Sequence, residues 1–216
     1  MTNEKPFPIE DELIPEKFRV AIFGSARTQP EDEFYKTTFS LAEEIGKHDI
    51  DIVTGGGPGL MEAANYGHKM GSSADSKSIG LTIELPHENS GNKHLDIKKH
   101  FLRFSNRLET FMKLSNVVVV MPGGVGTALE LFYAWQLVQV AHVPKMPIIL
   151  HGKMWHKIKD FVRDELLSRN LISPEDLNFV YCVENNEQAE ELIFDFYEQH
   201  KKHGDGHLLD SKKYEL

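Results

Sequence analysis

The run "VVVVMPGGVGTALELFYAWQ", residues 117–136, joins a valine-rich stretch to a short turn built from Pro122, Gly123, Gly124 and Gly126. Thr127 and Glu130 follow at once. Glycine amides at the mouth of a helix suit an anion, because nothing blocks the backbone N–H groups. A carboxylate aimed at the same anion would be repelled. Glu130 therefore either caps its helix or faces another part of a ligand, where it could stabilise positive charge or carry a proton. Thr127-Ala128-Leu129-Glu130 also matches the S/T-x-x-E capping box, in which threonine and glutamate serve each other's backbone amides. That reading leaves Pro122 and the paired glycines unexplained. Two further glycine turns follow apolar runs: "FGSAR" at 23–27, with Gly24 and Ser25, and "TGGGPG" at 54–59, with Gly55, Gly56 and Gly57. No G-x-G-x-x-G and no G-x-x-x-x-G-K-[ST] can be placed, which disfavours a dinucleotide dehydrogenase or a P-loop NTPase.

The elements that must hold these turns alternate in type. Strands are predicted at 18–23, 50–54, 78–85, 117–121, 146–151 and 178–183. Helices are predicted at 31–49, over "PGLMEAANYGHKMGS" with Pro58 at its first position and Gly71 at its end, at 104–115, from Thr127, at 155–170 and at 186–202. Residues 86–100 read as a polar loop. Continuous apolar strands alternating with helices imply an α/β doubly wound parallel sheet in three α/β/α layers. Ligands of such sheets bind beyond the carboxyl ends of the strands, where all three glycine turns fall. On helix 104–115, Phe104, Leu108, Phe111 and Leu114 make the apolar stripe, and Arg107 lies beside it.

The chain has 216 residues, 40% of them apolar, and a formal charge of −9. That excess of acid disfavours nucleic-acid and anionic-membrane surfaces. The lone Cys182 forms no internal disulfide and no metal cluster, and the eleven histidines are scattered. No apolar run reaches membrane-spanning length, and the polar, acidic start lacks a signal pattern. A cytoplasmic protein is expected, with an arm at 1–16, one Rossmann-like nucleotide-binding domain at 17–202 and a polar tail at 203–216.

"PGGVGTALE", preceded by "RLETFMKLSNVVVVM", resembles the LOG family, whose members are often labelled lysine decarboxylases. Its signature is P-G-G-x-G-T-x-x-E with an arginine fifteen residues before the proline, and Arg107 stands at that distance from Pro122. "GGGPGLMEA" and "LPHEN" are also similar. The resemblance implies a Rossmann-like homodimer that hydrolyses the N-glycosidic bond of nucleoside 5′-monophosphates, AMP or cytokinin ribotides, without metal or other cofactor. It implies Arg107 and Glu130 as the catalytic pair. Gly123, Gly124, Gly126 and Thr127 would cradle phosphate and ribose, with Gly24, Ser25, Gly55, Gly56 and Gly57 on the same rim. Specificity would come from the loop 85–100, with Glu84, His87, Glu88 and Asn89 as candidates. Three departures stand out: Leu108 where the family has lysine, Leu129 where it often has glutamate, and Gln136 where cytokinin-activating members have threonine. A decarboxylase would hold pyridoxal phosphate on a lysine, and no lysine occupies the three glycine turns. A non-catalytic nucleotide or molybdenum-cofactor carrier is the alternative. The helix after Thr127 is apolar on nearly every face, which implies a partner subunit or deep burial.

Overall fold

The computed structural model describes residues 17–73, 75–83 and 91–204. Seven strands form one sheet in the order β4-β3-β2-β1-β5-β6-β7, and every neighbouring pair is parallel. The strands are β1 (Arg19–Phe23), β2 (Asp51–Thr54), β3 (Ser78–Ile83), β4 (Ile97–Phe101), β5 (Val117–Val120), β6 (Ile148–His151) and β7 (Val180–Val183). The helices are α1 (Glu33–Lys47), α2 (Leu60–Gly71), α3 (Phe104–Leu114), α4 (Val125–Gln139), α5 (His156–Phe161) and α6 (Asn186–His203).

Side chains alternate across the strands, so each strand feeds two cores. Ala21, Phe23, Val118 and Val120 pack under α3 and α4 on one face. Val20, Ile22, Val117 and Val119 pack with Leu41 of α1, Leu60 of α2 and Leu192 of α6 on the other. The expected three-layer α/β/α fold is therefore present. The chain winds outward from β1 to β4, then returns over α3 to lay β5 against the other side of β1. That reversal opens a crevice beyond the carboxyl ends of β1 and β5.

Several expectations need correction. Residues 97–101 form the edge strand β4 rather than loop. An edge strand keeps one face in water, so Ile-Lys-Lys-His-Phe carries no apolar run. Pro58 precedes the N-cap Gly59 and is not the first residue of α2. The helix expected over 155–170 is broken into a 3-10 turn at Lys153–Trp155, α5, and a π-helical stretch at Val162–Leu167. α4 starts at Val125, two residues before the expected threonine.

α1 and α2 approach closely because glycines line their seam. A Cβ on Gly67 would strike the backbone of Phe39, and one on Gly71 that of Glu43. Gly67→Ala gains up to about 1 kcal/mol of helix propensity. The collision is with backbone, which yields little, and overpacking typically costs about 1–3 kcal/mol. Gly67→Ala is therefore expected to lower stability, seen as a reduced urea midpoint at unchanged slope. An unchanged midpoint would show that the seam adjusts freely.

Candidate active site

The three glycine turns are tied together by backbone hydrogen bonds. Ser25 N–H donates to Pro122 O at 3.1 Å, and Ser25 O accepts from Leu60 N–H at 2.8 Å. The serine hydroxyl accepts from Arg27 N–H at 3.1 Å. Gly59 has φ +68°, and a Cβ there would run into Ser25 O, so only glycine fits this junction. The turn after β2 hangs on buried polar side chains. Thr54 Oγ1 accepts from Gly56 N–H at 2.9 Å and donates to Asn65 Oδ1 at 2.8 Å. Asn92 Nδ2 donates to Asn65 Oδ1 and to Gly57 O.

The turn into α4 differs. Gly124 is the N-cap, and no side chain caps the helix. A Cβ on Gly124 or on Gly126 would meet nothing within 4 Å. Their bareness is not demanded by packing, and it leaves the first amides of α4 open. Thr127 stands inside the helix, its side chain in the space a Cβ on Gly123 would take. The capping box is thus absent.

Glu130 turns instead to Arg107. Arg107 Nη1 lies 3.3 Å from Glu130 Oε1, and the two side chains are 9% and 13% exposed. Arg107 Nε donates to Leu81 O at 2.6 Å, and its guanidinium carbon sits 5.1 Å from the centroid of the Phe111 ring. Gly55 is bare because a Cβ would strike Nη2. Burial pushes the Glu130 carboxyl up to about 7, against a smaller downward pull from Arg107. A carboxyl poised near neutrality suits proton transfer or charge stabilisation.

The pair lies in a cavity of about 570 Å³. Gly24, Ser25, Gly55, Gly56, Gly57, Arg107, Gly124, Gly126, Thr127 and Glu130 all line it. Gly123 does not, and Glu88 lies outside the described residues, as do Glu84, His87 and Asn89. Arg27, Thr82, Lys98, His100 and Phe104 also line the cavity and were passed over as site residues. Phe104, expected in the apolar stripe of α3, is 48% exposed. Lys98 and His100 were missed with β4 itself, and their i,i+2 spacing was the available signal. A second cavity of about 480 Å³, near Phe18, Asn116 and Pro147, lies at the amino ends of the strands, away from the glycine turns.

A family model described as "Possible lysine decarboxylase" matches residues 61–193. The chain belongs to this family, the LOG type that its motif resembles. A pyrimidine/purine nucleotide 5′-monophosphate nucleosidase of Escherichia coli (strain K12) is 36% identical over 101 residues, which is 43% of this chain. The match spans 22% of that relative's length. Among solved structures, the molybdenum cofactor carrier protein of Chlamydomonas reinhardtii superposes with a TM-score of 0.61 at 20% identity, over 84% of this chain and 99% of its own. The molybdenum cofactor binding protein of Rippkaea orientalis gives 0.61 at 23% identity, over 84% and 98%. At these identities the two share the fold.

The raised carboxyl sets a pH dependence. Its ordinary value is 4.5, so between about 4.5 and 7 the folded protein holds a proton that the unfolded chain has released. The associated stability is complete below about 4.5 and is lost as pH rises through about 7. Wild type should therefore lose stability relative to Glu130→Gln across that window, measured by urea unfolding at a series of pH values. Parallel curves would mean that Glu130 is ionised throughout.

Proposed function

We propose that this protein hydrolyses the N-glycosidic bond of purine nucleoside 5′-monophosphates, releasing the free base and ribose 5-phosphate. The observation that carries this reading is the buried Arg107–Glu130 pair beside the uncapped amides of α4. Those amides, with the positive end of the helix dipole, favour a phosphate. Glu130, more than one turn further in, stands where the ribose would follow. As the C1′–N bond breaks, its electrons leave with the base and C1′ becomes oxocarbenium-like. The carboxylate stabilises that charge and takes a proton from the attacking water, whose oxygen bonds to C1′, while the departing base gains a proton. Arg107 keeps Glu130 partly ionised despite its burial. Neither the bond broken nor the group transferred calls for a redox cofactor.

The name nucleosidase carried by the Escherichia coli relative supports this chemistry. The decarboxylase label fits less well. Lys98 does reach the cavity from β4, but it is exposed, whereas a Schiff-base lysine is activated by desolvation. AMP and cytokinin ribotides, the substrates the motif implies, belong in the first assay, and a cytoplasmic location is part of the same proposal.

Two copies are proposed to meet through α4. It buries Leu131, Ala134, Trp135 and Val138 against the sheet, yet Phe132 and the C-cap Val140 are exposed, as are Val125 and Leu129 at the cavity rim. An apolar second face on a helix that is not deeply buried fits a subunit contact. Phe132→Glu should shift a dimer toward monomer in light scattering, and a monomeric wild type would refute the contact.

Chromatography of the purified protein with AMP, GMP, CMP and isopentenyladenosine monophosphate, each beside its nucleoside, tests the hydrolase. Base should appear from monophosphates only. Glu130→Gln should retain nucleotide binding and lose roughly 10²-fold in turnover, the scale of a lost transition-state charge partner. Arg107→Ala should lose both. Intact nucleotides that still raise the melting temperature would instead make the cavity a binding site.

A further inference from the structure

Resting on the hydrolase reading, we infer that Lys98 and His100 form a base-reading pole selective for lactam nucleobases, such as hypoxanthine and guanine, over adenine. The two residues stand two apart on β4, so they share one face of the strand, and both line the cavity. Among the described residues no carboxylate is paired with Lys98, on a chain whose formal charge is −9. Lys98 is exposed and lines the cavity, so its ammonium is a donor placed at that wall.

His100 has a defined role beside it. Thr82 Oγ1 donates its proton to Lys99 O at 3.2 Å and lies 3.3 Å from His100 Nδ1. With its one proton donated to Lys99 O, the hydroxyl oxygen is left to accept from an Nδ1–H. In the tautomer that carries its proton on Nδ1, Nε2 is an acceptor. Lys98 and His100 together present a donor beside an acceptor. The six-position edge of hypoxanthine or guanine presents the complement, a carbonyl oxygen beside N1–H. Adenine presents the reverse, an amino group beside a bare N1, which would set donor on donor and acceptor on acceptor.

Placement across the cavity supports a base rather than a phosphate at this pole. β4 is four strand positions from β5, on the order of 19 Å at the usual spacing. The amides of α4 follow β5, whereas Lys98 stands on β4 at the edge of the sheet. The Arg107–Glu130 pair lies between, since Arg107 is bonded to Leu81 O of β3 and to α4. The cavity thus runs from α4 amides through the carboxylate to the β4 pair, in the order phosphate, ribose, base.

IMP and AMP differ only at the six-position substituent and the adjoining N1 proton, so their kcat/KM ratio is the test. Wild type is expected to favour IMP about tenfold, within the range of one donor–acceptor base contact. Lys98→Met should bring the ratio to about one, chiefly through the KM for IMP, and Lys98→Arg should keep the preference. UMP should likewise be favoured over CMP. Equal handling of IMP and AMP by wild type, or an unaltered ratio in Lys98→Met, would overturn the inference while leaving the hydrolase intact. If neither nucleotide is cleaved, the hydrolase reading fails and calorimetric binding decides. Tighter IMP binding that Lys98→Met abolishes would uphold the pole, and equal or absent binding would overturn it.

Discussion

A guanidinium almost withdrawn from water is stable only where its charge and its N–H groups are answered, because an uncompensated buried charge costs several kcal/mol. Arg107 is answered by pieces from four elements. Leu81 O comes from β3, the Phe111 ring from its own helix, the Glu130 carboxylate from α4, and the space for Nη2 from Gly55 after β2. Each contact fixes where one element ends relative to another. The carboxyl edge of the sheet is in this sense arranged around one side chain. The arrangement leaves a carboxylate poised near neutrality, which a solvent-exposed surface pair would not.

The glycines of this edge serve two different ends. Gly24, Gly55, Gly59 and Gly123 are bare because a neighbour occupies the place of the side chain. They let turns and helices close onto one another, and Ser25 stitches two of those turns with its backbone. Gly124 and Gly126 have open space where a Cβ would go. Packing does not explain them, but exposure of α4's first amides does. A single Gly-rich motif thus contains both a packing residue and an open floor.

The same architecture occurs in proteins named as molybdenum cofactor carrier and binding proteins, so the fold by itself does not select a chemistry. The chemistry lies in the content of the crevice. The Arg107–Glu130 pair, the uncapped first turn of α4, and Lys98 with His100 all line it. The overall acidity of the chain keeps nonspecific polyanions away, while local donors can still hold one small anion.

Local pattern was enough for much of this. Continuous apolar runs and period-3.6 runs revealed six of the strands and most helices, and the turns between them announced the edge where a ligand would sit. The resemblance to the LOG motif, with its arginine fifteen residues before Pro122, implied Arg107 and Glu130 as a pair, and the two side chains touch. Other features required the folded chain. β4 was hidden because an edge strand is half solvated and its Lys98 and His100 break the apolar pattern on which strand recognition rests. Thr127 and Glu130 matched a capping box letter by letter, yet α4 begins two residues earlier, and the carboxylate is drawn to a cation twenty-three positions upstream. Phe104 fitted a core stripe and instead faces the cavity. The shifted carboxyl of Glu130 could not be read locally at all, since desolvation depends on everything packed around a group. Periodicity is a property of neighbours along the chain, whereas burial, register and charge pairing are set by neighbours in space.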